Sequence, residues 1–140
     1  MKTILIPVDG SEHSLHAIDD IIASRTPGEV RELHLLNVQH TLTGGVGRFL
    51  DQEQIRAFHR EEGLKALAAA RKRLDDAGLP YAFHIGVGDA AETILQYARE
   101  KRCDQIVMGS HGHGVIATLL MGSVAAAVSD RAEIPVKLVD

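Results

Sequence analysis

The chain has 140 residues, with 15 lysines and arginines against 19 aspartates and glutamates, and one cysteine. That length can bury a core without disulfide or metal staples, and the mild acidic balance argues against a general nucleic-acid binder, which carries a basic stripe. Cys103 alone excludes an intramolecular disulfide and suits a reducing, cytoplasmic compartment. The apolar run after Met1-Lys2 is only about five residues, too short for a signal-peptide core or a membrane span. A single domain over 1–140, soluble and without membrane insertion, is expected.

Thr3-Ile4-Leu5-Ile6-Pro7-Val8 is continuously apolar, as in a strand buried on both faces. Asp9-Gly10-Ser11 breaks it, and Ser11 is a candidate N-cap for a helix from Glu12 that carries Leu15, Ile18, Ile21 and Ile22 at helical spacing. Pro27-Gly28 ends that helix, and Leu33 to Val38 reads as a second strand. Thr41 to Leu50 is polar and glycine-rich and reads as a mobile loop. A long helix follows from Asp51 to Ala77, with Ile55, Phe58, Leu64, Leu67 and Leu74 as its core stripe. Gly63 interrupts it at a cost of about 1 kcal/mol relative to alanine, so a kink is expected there.

Leu79 to Val87 reads as a third strand, and Asp89-Ala90-Ala91-Glu92 as a capping box opening a helix with Ile94, Leu95 and Ala98 on one face. Gln105 to Met108 is a fourth strand and Val136 to Val139 a fifth, with a helix marked by Val124, Ala127 and Val128 between them. Strands alternating with helices imply a parallel sheet, right-handed crossovers and helices on both faces.

The most informative motif is Gly109-Ser110-His111-Gly112, nine further residues, then Gly122-Ser123, or G-x2-G-x9-G-S. It lies between a strand and a helix, where glycines let backbone N–H groups approach an anion and the helix N-terminus adds roughly half a positive charge. No Gly-Lys-Ser/Thr closes it, so it is not a Walker A loop. Three or four charge-assisted bonds at about 1.5–3 kcal/mol each are enough for micromolar phosphate binding, about −8 kcal/mol. Asp9, just past the first strand, is either a turn former or an acceptor for a nucleotide's amino or hydroxyl group. In doubly wound sheets ligands bind beyond the strand carboxyl ends, where strand order reverses. With order 3-2-1-4-5, Asp9 and the Gly109 loop face one ligand from opposite sides.

Gly86-Val87-Gly88-Asp89-Ala90-Ala91 spells G-x-G-x-x-A, with Asp104 further on. It comes third in the chain instead of opening the first βαβ unit, so turn formation and capping explain it better than a dinucleotide. His13 and His16 share a helix, but no Cys or carboxylate joins them at ligand spacing for zinc. His111 and His113 are candidate side-chain donors to phosphate oxygens. Cys103 reads as a partly buried structural thiol, and no Ser/His/Asp set or carboxylate pair stands out.

These residues resemble the universal stress protein family, specifically its ATP-binding branch. Thr3 to Glu12 is similar to the family's opening strand and turn, Gly86 to Ile94 to its third-helix entry, and Asp104 to Gly114 with Gly122 to Val124 to its nucleotide signature. The resemblance implies a flavodoxin-like, Rossmann-like three-layer α/β sandwich with a five-stranded parallel sheet of order 3-2-1-4-5. It implies that Pro7, Val8 and Val38 border the adenine and that Asp9 bonds the base or ribose. Met108 and Gly109 would pack against the sugar, while Gly112, Gly122, Ser123 and Val124 hold the phosphates of ATP, accompanied by Mg2+ or Mn2+.

The position two residues after Ser123 is Ala125, where the family often has a second hydroxyl, so one phosphate contact is absent from the pattern. The family's homodimer through the last strand implies the same for Val136–Val139. Lys137 lies within that edge: a lysine there blocks pairing, but its stem can also cover an interface. The expectation is a nucleotide-dependent stress sensor or adaptor with an unidentified protein partner. Its rivals are a slow ATPase or phosphotransferase in the same cleft and a nucleotide-free dimeric scaffold; a cyclic nucleotide would also fit the cradle.

Overall fold

A computed structural model of the chain describes residues 2–26, 28–29, 31–42, 50–111 and 122–140. Five strands are present, β1 (Lys2–Pro7), β2 (Arg31–Gln39), β3 (Ala82–Val87), β4 (Gln105–Gly109) and β5 (Val136–Val139). The helices are α1 (Glu12–Ser24), α2 (Gln52–Asp76), α3 (Ala90–Glu100) and α4 (Ser123–Arg131). Every strand pairing is parallel, and the sheet order is β3-β2-β1-β4-β5. This is the expected flavodoxin-like sandwich, and strand order reverses between β1 and β4.

The two faces of the sheet carry separate apolar clusters. Ile4, Ile6, Leu33, Leu35 and Val107 pack with Ile18, Ile21, Leu67, Ala70 and Leu74 of α1 and α2. Leu5, Leu36, Ile106 and Met108 pack with Ile94, Leu95, Ala98, Ala125 and Val128 of α3 and α4. Because central-strand side chains are buried above and below, β1 is a continuous apolar run with no alternation.

Side-chain caps open three of the four helices of the described residues. The Ser11 hydroxyl accepts the Ser14 N–H at the start of α1, and the Asp89 carboxylate accepts the Glu92 N–H at the start of α3. The reciprocal capping box falls instead at α2, where Asp51 accepts from the Gln54 N–H and the Gln54 side chain accepts from the Asp51 N–H. The third strand starts at Ala82, not Leu79. Gly78 adopts φ +71 and the Leu79 N–H returns to the Leu74 carbonyl at 3.0 Å, so Leu79 belongs to a Schellman closure of α2.

The long helix corrects two further expectations. Its buried stripe is His59, Gly63, Leu67, Ala70 and Leu74, whereas Phe58 is 41% exposed and Ile55 and Leu64 are only half-buried. The helix runs unbroken through Gly63, whose missing side chain admits Ile85 of β3: a Cβ there would stand 2.7 Å from Ile85 Cδ1. Gly63 therefore marks a close helix–sheet approach. The segment read as a mobile loop, Thr41 to Leu50, lies for the most part outside the described residues.

The G-x-G-x-x-A segment is likewise explained by packing. A Cβ on Gly86 would meet Thr93 Cγ2 at 2.8 Å, and Gly88 turns the chain at φ +143. Asp104 sits at the other end of the sheet, accepting the Thr3 N–H and donating its own N–H to the Thr3 carbonyl. No helix of the described residues is long and apolar enough to cross a membrane.

Candidate functional site

A cleft of about 690 Å3 opens at the carboxyl ends of β1, β2 and β4, within the size range of small-molecule sites. The register explains its position. β1 ends opposite Leu36 while β2 continues to Gln39, so the chain turns away after Val8, whose N–H still bonds the Leu36 carbonyl, and a gap opens between β2, β4 and three helix N-terminal regions.

Of the twelve residues expected at the site, Pro7, Val8, Asp9, Val38, Met108, Gly109, His111, Gly122, Ser123 and Val124 all line this cleft. Gly112 and His113 lie outside the described residues. The Asp9 carboxylate accepts the Ser11 N–H at 2.9 Å, which fixes the turn out of β1 on a residue that lines the cleft. Gly109 has a packing reason of its own: a Cβ there would come within 2.7 Å of the His13 backbone of α1.

The N-terminus of α4 is the anion-attracting feature. Gly122 is its N-cap and supplies no side-chain hydrogen bond, while its own N–H is anchored to the Ser110 carbonyl at 2.7 Å. The N–H groups of Ser123, Val124 and Ala125 have no acceptor within their helix, and all three residues line the cleft. The helix dipole adds its positive end at the same place.

A chain of hydrogen bonds braces the opposite lip. Ser110 Oγ donates to Asp140 Oδ1 and lies 2.9 Å from His111 Nδ1, and the Ser110 N–H donates to the Val139 carbonyl. With the serine proton committed to Asp140, His111 donates from Nδ1. Its Nε2 in the neutral ring is therefore an acceptor and donates to a phosphate oxygen only as imidazolium.

Sequence reasoning missed the wall contributed by α2 and the floor of β2. Phe58, Glu62, Lys65 and Ala66 face the cleft, as do Asn37, Gln39 and His40. The i, i+4, i+7 spacing of Phe58, Glu62 and Lys65 was available as a signal but is drowned by the buried stripe beside it. Lys65 is engaged by Glu62 at 3.3 Å and Glu61 at 3.7 Å, which hold its ammonium pKa above the usual lysine value. Among the described residues no group of three or more His, Cys, Asp or Glu is arranged to hold a metal.

Comparison with known proteins identifies the family. The universal stress protein family matches residues 1–140. The chain is 34% identical to universal stress protein MJ0531 of Methanocaldococcus jannaschii, over 99% of this chain and 81% of that one. The solved structure of MJ0577, from the same organism, is 31% identical with a TM-score of 0.83, covering 99% and 94% of the two chains. A universal stress protein solved in complex with cAMP is 25% identical with a TM-score of 0.70, covering 99% and 97%. The chain belongs to the universal stress protein family.

Proposed function

We propose that the chain is one cytoplasmic domain over 1–140 that binds an adenine nucleotide, ATP in the first instance, and serves as a nucleotide-dependent stress sensor or adaptor. The observation that carries this reading is the uncapped N-terminus of α4 opening into a cleft whose other wall holds Asp9. The cAMP complex of a related protein supports the adenine-nucleotide class. Pro7, Val8 and Val38 enclose the base, Asp9 accepts from base or ribose, and Met108 and Gly109 lie under the sugar. Gly122, Ser123 and Val124 donate to phosphate oxygens, joined by Gly112 and by His111 or His113.

Mg2+ or Mn2+ enters on the phosphates, since the described residues provide no metal cage of their own. Bound nucleotide favours whichever loop arrangement it contacts better, and the population shift is limited to that difference in affinity. A partner protein reads the shifted surface. The chain pairs with a second copy through the outer edge of β5, Val136–Val139. Lys137 fits such an edge because its ammonium is drawn back onto Asp20 of α1 at 2.8 Å; a monomeric mass by light scattering at micromolar concentration removes this part of the reading.

Gly122→Asp tests the nucleotide site with two readouts of opposite sign. An aspartate N-cap bonds the free N–H groups and complements the dipole, so stability holds or rises by about 0.5–1 kcal/mol. The same carboxylate occupies the anion site and repels phosphate. Losing two charge-assisted bonds at about 1.5–3 kcal/mol each weakens Mg-ATP binding at least a hundredfold. Unchanged ATP affinity in a folded variant refutes the site.

A further inference from the structure

The base end of the cleft contains a short relay of amides whose polarity is dictated from the backbone. A carbonyl oxygen only accepts, so the group that Asn37 turns to the Val8 carbonyl, at 2.8 Å, is its amide nitrogen. The other end of the Asn37 amide is then Oδ1, and it accepts from Gln39 Nε2 at 2.7 Å. Asn37 is only 3% exposed, and flipping it would set two acceptors against each other in a buried position, which is costly. Gln39 is thereby held with its nitrogen inward. Its Oε1 takes no hydrogen bond from the described residues, and Gln39 is only half-buried and lines the cleft.

The geometry points to Gln39 as a specificity residue: through Asn37, the Val8 carbonyl sets its Oε1 as a fixed acceptor that selects a 6-aminopurine over a 6-oxopurine. This rests on the nucleotide reading above. An exocyclic amino group donates to Oε1, whereas a 6-oxo group presents lone pairs to lone pairs. Two of the neighbouring polar groups do not make that choice. His40 is exposed and its ring offers either a donor or an acceptor. Lys65, the nearby cation that would favour a 6-oxo group, is engaged by Glu61 and Glu62. Asn37, its amide engaged at both ends by the Val8 carbonyl and by Gln39, acts by positioning Gln39.

Equilibrium titration of Mg-ATP and Mg-ITP into the full chain and into Gln39→Met and Gln39→Ala tests the proposal, since the two nucleotides differ at the 6-position and keep the same phosphates. The native chain is expected to prefer ATP by about tenfold or more, the scale of one hydrogen bond exchanged for a clash of acceptors. Both variants should lose affinity for ATP and keep that for ITP, bringing the ratio near one, with unfolding midpoints close to the native value. A native ratio near one overturns the proposal while leaving the nucleotide site standing. A preference retained in both variants hands the discrimination to the Val38 backbone and also overturns it. If neither nucleotide binds the native chain, the reading of the cleft falls and this inference falls with it.

Discussion

Replacing Gly63 with alanine isolates the close approach between α2 and the edge strand. On an isolated helix the change stabilises by about 1 kcal/mol. Here the new Cβ would stand 2.7 Å from Ile85 Cδ1 and 2.8 Å from both Cγ1 and Cγ2. Rotating Ile85 about χ1 still leaves at least one γ carbon against the new Cβ, because the side chain branches at Cβ. Overpacking of this kind costs about 1–3 kcal/mol, so the net expectation is a loss of about 1 kcal/mol and a midpoint lower by about 3–4 °C. Urea unfolding should show a lower Cm with an unchanged m-value. The decisive measurement is a double-mutant cycle with Ile85→Ala. With all three conflicting atoms removed, Gly63→Ala should stabilise by up to about 1 kcal/mol, a coupling of about 2 kcal/mol. A stabilising Gly63→Ala in the native background, or a coupling near zero, would refute this account of the glycine.

Two further outcomes follow from titratable groups away from the cleft. Burial, reinforced by the negative charges of Asp104 and Glu32, pushes the Cys103 thiol up to about 11; the native chain should react slowly with a thiol reagent at pH 8 and quickly in denaturant, and fast native labelling would contradict the packing. His84 is hydrogen-bonded to His34 at 2.9 Å, and burial first, then His34 and Lys101, lowers its pKa. The unfolded chain then binds the proton more readily, so stability is present above about pH 6.5 and is lost as pH falls through the folded value. Replacing His84 with phenylalanine should flatten the acid side of the midpoint–pH curve, and an unchanged slope would exclude His84 as its source.

Order and type of the elements were legible along the chain because each signal is local. A continuous apolar run such as Ile4 to Val8 means a strand covered on both faces, and Ser11 and Asp89 announce helix starts through side chains that reach only three residues ahead. The glycine pattern at Gly109 and Gly122 was legible for the same reason. Periodicity also misled where an element outlasts its neighbours. Phe58 falls near the apolar stripe of α2 but borders the cleft, and hydropathy alone does not say which side of a helix meets the sheet.

Gly63 looked like a flaw in a helix because its partner, Ile85, is 22 residues away in sequence. Strand and helix order, the helix starts at Ser11 and Asp89 and the glycine signature are readable along the chain because each is written within a few residues of where it acts. Contacts between distant segments settle which wall α2 presents to the cleft, why Gly63 and Gly109 have no side chain, and which way the amides of Asn37 and Gln39 point. Those features depend on β1 and β2 lying side by side, a register that brings the Val8 carbonyl to Asn37 from 29 residues away.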